Sequence, residues 1–264
     1  MKRWLLLLVS LTTGCGSLTP PPLPKFATGE APRPAASEPG WSAKLRAVDL
    51  IYLRLTNESP LPHQPAWRIV AALQADRQPA ALGWTEIPAA HQPLLDGWQR
   101  GEIPEAQLLD KLVAASRREW LRQGLKVNLP QVALGAPPQL LGKIRAGTAL
   151  TPVERALLPR GFETGPNALD DFAERVASVP RLRRYNVTRL FRAHVIAEKM
   201  IADNIVRYTG AHSGTKLLVI LPDEVLINAR ELADYVGQKA NLKQIILNRE
   251  TGEPTARPPL LARH

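Results

Sequence analysis

The stretch Ala80–Leu109, AALGWTEIPAAHQPLLDGWQRGEIPEAQLL, decides the fold. Ala80 to Trp84 reads as a buried strand, the segment around Pro88 as a loop, and a helix opens near Ala89 or Ala90. Gly101 stops that helix. A second begins at Pro104, because a proline fits the first helical turn, where its missing N–H is not needed. Ligands of open α/β sheets bind at the carboxyl ends of the strands. Thr85, Glu86, His91 and Gln92 therefore fall in or beside a ligand-binding position. Roles as caps and surface residues are the alternative for all four.

Outward from this unit the alternation of strand and helix continues. Before it lie a strand at Ala47–Arg54 (AVDLIYLR) and a helix at His63–Asp76, with Trp67, Ile69, Val70 and Leu73 on its apolar face. Helices occupy Ala90–Gln123, with Leu108, Leu109, Leu112 and Val113 on one face and Arg117, Arg118 and Arg122 on another. Gln131–Leu134 is a third, short strand. Pro138–Ala146 is a helix with Gly147 as its C-cap. Thr151-Pro-Val-Glu154 is a capping-box start for a short helix closed by Pro159. Asp170–Ser178 is helical and Pro180 breaks it. The longest helix runs from about Val187 to Tyr208, with Leu190, Ala193, Ala197, Ile201 and Ile205 at helical spacing and His194 on the edge of that stripe. Lys216–Leu221 (KLLVIL) is a continuous apolar run, as in a strand buried on both faces. Asn228–Ala240 is a helix and Leu242–Asn248 a last strand. The expected fold is α/β: a mostly parallel sheet flanked by helices, with an additional helical lobe over the strand ends.

The ends of the chain read differently from the middle. Of 264 residues, 45% are hydrophobic, enough for one sizeable core. Residues 1–15 form a targeting segment: Lys2 and Arg3 precede the apolar run Trp4–Val9, which is too short to span a bilayer as a helix. Leu11-Thr-Thr-Gly-Cys15 resembles a bacterial lipobox, in which the cysteine after the cleavage point is acylated. Thr12 departs from that pattern, and an ordinary signal peptide with an incidental cysteine is the alternative. Cys15 is the single cysteine, so once it is lipidated no thiol is left for disulfides or catalysis. Gly16 after it, by resemblance to lipoprotein sorting, directs the protein to the outer membrane of a Gram-negative envelope. Residues 16–40 are rich in proline and read as a semi-rigid tether. The folded domain then spans 41–250, and 251–264 is a loose tail. The formal net charge of +10 suits an anionic surface or ligand. Nucleic acid does not fit an exported, lipidated chain that carries no nucleic-acid motif.

With these elements placed, the chain resembles the ChaN-type haem-binding lipoprotein family of the wider TIKI/TraB/erythromycin-esterase-like superfamily, from about Ala47 to Leu247. The resemblance rests on His91-Gln-Pro-Leu-Leu-Asp-Gly-Trp-Gln-Arg-Gly-Glu102, on Gln131–Leu141, where a strand leads into an A-P-x-x-L turn, and on the long helix with Arg192, Met200 and Ala202. It implies the α/β fold, haem as the ligand, and haem binding between two copies of the chain.

The family's polar signature is mostly replaced. Where relatives carry G-E-x-H-D, this chain has Arg54-Leu-Thr-Asn-Glu58, followed by His63. A family glutamate falls at Thr85, with Glu86 next to it, and a one-residue shift on a strand turns a side chain to the other face. The late G-x-G-H is Leu221-Pro-Asp-Glu224, and a tryptophan–aspartate pair in the long helix is Ala197-Glu198. Asn57 can neither carry a proton near neutral pH nor replace histidine as a ligand, and Leu55 is no general base. These losses weigh against hydrolysis, leaving Glu86 and Glu224 as its remaining candidates. Glu58, Glu86, Asp223 and Glu224 together suit a hard cation if their loops converge. We assign no catalytic residue and no metal ligand from sequence.

Haem in this family is held through a tyrosine, and four are present: Tyr52, Tyr185, Tyr208 and Tyr235. Tyr52 lies in a strand, and Tyr208 and Tyr235 in helices. Tyr185 lies among Arg181, Arg183, Arg184, Arg189 and Arg192, with no acidic residue between Glu174 and Glu198. Arginines at a helix start oppose its dipole, so an anion there, whether a haem propionate or a lipid phosphate, relieves the repulsion. The alternative is a solvated basic face. His63, His91 and His194 are the other conceivable iron ligands. The sequence expectation is a lipid-anchored haem-handling protein. A degenerate relative that binds an anionic envelope component or a protein partner is the second reading.

Overall fold

The computed structural model of the chain describes residues 44–54, 65–112, 122, 124–127, 129–160, 164–221 and 227–247. Cys15, the tether, Asn57, Glu58, His63, Asp223, Glu224 and the C-terminal tail lie outside the described residues.

Five strands form one sheet: β1 (Leu50–Arg54), β2 (Ala80–Pro88), β3 (Gln131–Gly135), β4 (Lys216–Leu221) and β5 (Gln244–Ile246), in the order β3-β2-β4-β1-β5. Every described pairing is parallel. Parallel neighbours need crossovers, and these are helical: α1 (Pro65–Ala75), α2 (Gln92–Gln99), α3 (Glu105–Leu112), α4 (Pro138–Ala146), α5 (Pro152–Ala156), α6 (Ala168–Ala177), α7 (Val187–Ala211) and α8 (Ala229–Gly237). No described helix is long and apolar enough to cross a membrane.

Helices on both faces explain the unbroken apolar runs. Every residue of β4 is buried, and alternate side chains enter opposite cores. Leu218 and Ile220 join α1 and the α2–α3 region on one side, while Leu217, Val219 and Leu221 meet α7 and α8 on the other. The only charged residue of β4, Lys216, sits at its start and donates to the Arg46 and Val48 carbonyls.

β2 runs on to Pro88, past the expected end at Trp84, because its register against β3 shifts between Trp84 and Pro88. The shift brings two backbones together at Gly135, where a Cβ would lie 2.7 Å from the Thr85 carbonyl oxygen. Only glycine tolerates that approach. Two helix ends form as the sequence dictates. Gly147 closes α4 with φ 74°, and Thr151 and Glu154 form the reciprocal capping box that opens α5.

α7 outruns the sheet. Its 25 residues span about 37 Å, whereas the 6 of β4 span about 20 Å. Ile201, Ala202 and Ile205 pack on the strands. The earlier turns pass beyond them, where Ala193 and Ile196 meet α4 and Leu190 meets α6. This is the helical lobe expected over the strand ends.

Candidate functional site

The lobe buries polar groups as well as apolar ones. His194 and Glu198 stand one turn apart on α7, so both side chains leave the same face of the helix, and both are enclosed. Phe172 of α6 stacks on the His194 ring at a centroid distance of 4.8 Å, with Phe191 tilted against Phe172 at 5.4 Å.

Glu231, in the first turn of α8, meets this pair from the neighbouring element. Its Oε2 is 3.0 Å from His194 Nε2. Its Oε1 accepts hydrogen bonds from Arg175 Nη1 at 2.7 Å and Asn228 Nδ2 at 2.9 Å. Glu198 Oε1 accepts from the Asn228 backbone N–H at 2.7 Å. Glu198 Oε2 is buried without a hydrogen-bond partner and lies 3.5 Å from His194 Nε2. One imidazole nitrogen and two carboxylate oxygens thus converge within 4.8 Å of one another.

The two carboxyls titrate in opposite directions. Burial raises Glu198 well above the usual carboxylate range, and the charge of Glu231 pushes the same way. Burial would raise Glu231 too, but the hydrogen bonds from His194 and Arg175 outweigh it and bring it down to about 2. Of the two, Glu198 is the carboxyl that holds its proton to the higher pH. An unfolded chain releases that proton near the ordinary carboxylate value, whereas the folded chain holds it to higher pH. Folding therefore takes up a proton in between, and this group's contribution to stability falls as pH rises across that window. Glu198→Gln keeps the shape and the acceptor toward Asn228 but has no proton to take up. In metal-free protein, its melting temperature relative to the parent should rise as pH rises above the ordinary carboxylate range. A difference that stays constant as pH rises above that range would contradict the assignment.

At the open end of the lobe lies Tyr185, half-buried beside Leu182 and Val179. Its hydroxyl accepts from Arg184 Nη2 at 3.1 Å, and that guanidinium lies 5.1 Å from the ring centroid. The large apolar side chains exposed among the described residues belong to the same lobe: Val187 at the start of α7 (36%) and Val153 (75%) and Leu157 (49%) around α5. Tyr52 is enclosed in the sheet and bonds Gln244, Tyr235 is buried under Lys199, and Tyr208 stacks on His212 near the far end of α7. Tyr185 alone among the tyrosines combines a half-exposed ring with an arginine on its oxygen.

The basic residues around it are not aimed as the sequence suggests. Arg183 donates to the Ala177 carbonyl at the C-terminus of α6, and Arg189 donates to the Ala146 carbonyl at the C-terminus of α4. Each cation complements the negative end of a neighbouring helix dipole, so no external anion is needed to offset them. The N-terminus of α7 is capped by Asn186, whose side chain accepts from the Arg189 N–H. Arg184 and Arg192 are exposed.

The remaining sequence candidates divide by role. Gln92 is structural: it donates to the Gln131 carbonyl and to Asp96, and accepts from the Ala133 N–H, pinning α2 to β3. Thr85 is buried and donates to the Ile220 carbonyl, whereas Glu86 points outward on the opposite side of the strand. His91 is half-buried at the end of a 3-10 turn, with its Nδ1 enclosed and unpartnered. His194 is shut beneath Phe172 and does not present itself to a surface-bound ligand. Glu231 and Arg175 carry no sequence signal, because each is brought in from another helix. His194 and Glu198 do carry one: a histidine and a glutamate spaced i, i+4 on an inward face.

Comparison with known proteins follows the geometry. The family model described as haem-binding uptake, Tiki superfamily, ChaN matches residues 41–221. A solved structure, titled for cofacial haem binding to ChaN of Campylobacter jejuni, superposes with a TM-score of 0.56 at 14% identity, covering 78% of this chain and 83% of that one. At that identity the likeness establishes the fold. No curated protein matches the chain.

Proposed function

The chain belongs to the ChaN family of haem-binding uptake proteins in the Tiki superfamily, and from that premise we propose that it is a haem-binding protein of the bacterial cell envelope, held to the outer membrane by a lipid on Cys15 and serving haem or iron uptake. The observation that carries this reading is the setting of Tyr185, a half-exposed phenol with the Arg184 guanidinium on its oxygen.

Those residues fit the group. A tyrosine oxygen is an established axial ligand for haem iron. Arg184 offers a planar fork that suits a propionate carboxylate. Val187, Val153 and Leu157 leave apolar surface exposed on the same lobe, and a porphyrin face needs such surface. When bound, haem supplies the iron and its redox and ligand chemistry; the chain supplies the phenol, the cation and the cover. Cofacial haem binding, named for the Campylobacter protein, suggests a homodimer on loading here, since two stacked haems bring two chains together.

The experiment is a hemin titration of the purified chain followed by absorbance. Saturable development of a Soret band is the expected result, and a featureless titration would remove haem as the ligand. The anchor is tested separately. Labelled fatty acid should enter the parent and not the Cys15→Ser variant when each is expressed in a Gram-negative host. Equal labelling would sink the lipidation.

A further inference from the structure

We propose that His194, Glu198 and Glu231 form a second site, distinct from the haem surface at Tyr185, that binds one divalent first-row transition-metal ion. The geometry is already close to a coordination shell. Ligand atoms at the corners of a tetrahedral zinc site with bonds of 2.0–2.1 Å stand about 3.3–3.5 Å apart. Here His194 Nε2 is 3.0 Å from Glu231 Oε2 and 3.5 Å from Glu198 Oε2, and all three atoms lie within 4.8 Å of one another.

The second oxygens show how the site is built. Glu198 gives its Oε1 to the Asn228 N–H and turns Oε2 inward; Glu231 gives its Oε1 to Arg175 and Asn228 and turns Oε2 inward. Metal-binding carboxylates are oriented by hydrogen bonds of this kind. Glu198 Oε2 then points into the cluster with no hydrogen-bond partner, although it is enclosed. A buried carboxyl oxygen needs a partner there, either a proton shared with Glu231 or an ion that replaces that proton.

The donor set selects the class of ion. Calcium and magnesium take shells of oxygen, six to eight ligands for calcium, which one imidazole and two carboxylates do not provide. Imidazole with carboxylate suits zinc, ferrous iron or manganese, and no cysteine occurs among the described residues to add a thiolate. Glu231, with 29% of its side chain exposed, leaves one edge of the cluster open to solvent as an entry path. The ion would tie α7 to α8 at the rim of the lobe.

The test is a zinc chloride titration by calorimetry on the full chain, first stripped with a chelator, beside Glu198→Gln. That variant keeps the volume and the acceptor for Asn228, so it folds, and a cooperative melt verifies this. One zinc ion per chain in the parent, with affinity at least about tenfold weaker in the variant, is the expected result. Absence of stoichiometric binding in the parent, or equal affinity in a folded variant, would overturn the site. A cobalt(II) spectrum that changes in His194→Ala provides an independent readout of the imidazole, and a spectrum indifferent to that change would overturn its role. Neither measurement depends on haem, so failure of the haem assignment leaves this one standing, and the reverse.

Discussion

Replacing Glu231 with alanine should destabilise the protein by about 3 kcal/mol or more. The carboxylate accepts from Arg175 and Asn228 through one oxygen and faces His194 through the other. Its loss takes the carboxylate away from an enclosed imidazole and a largely covered guanidinium at the same time. Removing one partner of a buried pair costs far more than removing both, because the survivor keeps its desolvation without compensation. Denaturant melts of metal-free protein should therefore show Glu231→Ala well below the parent, and the double variant with Arg175→Ala should lie above the sum of the two single losses. A loss under about 1 kcal/mol for Glu231→Ala would place the pair with ordinary surface ion pairs and contradict its part in holding the lobe.

Phe172→Ala should cost a similar amount, about 3–5 kcal/mol, by leaving a cavity. Phe172 is fully enclosed, stacks on His194 and touches Phe191, so two aromatic groups on α7 lose a neighbour. In a domain of this size the melting temperature should fall by about 10 °C. The same truncation opens a path to the imidazole, so chemical modification of His194 should proceed in the variant and be slow in the parent. Val153→Ala, at a side chain 75% exposed, is the control and should shift stability by no more than about 0.5 kcal/mol. Similar losses at the two positions would mean that Phe172 does not close the lobe.

The sequence carries the fold because strands buried on both faces declare themselves. KLLVIL at Lys216–Leu221 has no polar alternation to mislead, and the strand has the same bounds in the structure. Gly147 and the Thr151–Glu154 box are likewise local chemistry, and both helix ends form as read. Where expectation and structure differ, the cause lies further away in the chain. β2 continues to Pro88 because Gly135 lets two backbones approach, which nothing in Thr85–Pro88 announces. α8 ends at Gly237 and β5 is shorter than Leu242–Asn248, both at the sheet edge where β1 is the single described partner.

The site was harder to read for the same reason. Arg183 and Arg189 form, in sequence, a repulsive cluster at a helix start. In space they cap the C-termini of α6 and α4, and the repulsion is offset inside the protein. Glu231 meets His194 across 37 residues of separation, which no periodicity reveals. The contact of Arg184 with Tyr185 was legible, since the two residues are adjacent in the chain and remain paired in the fold.

The most direct test of the central claim is the hemin titration run on Tyr185→Phe and Tyr208→Phe side by side. Both tyrosines are half-buried, at opposite ends of the lobe-forming helix, and only Tyr185 has an arginine on its oxygen. The account predicts that the Tyr185 variant loses the saturable Soret change while the Tyr208 variant keeps it. Undiminished binding in Tyr185→Phe would contradict the assignment of the iron ligand.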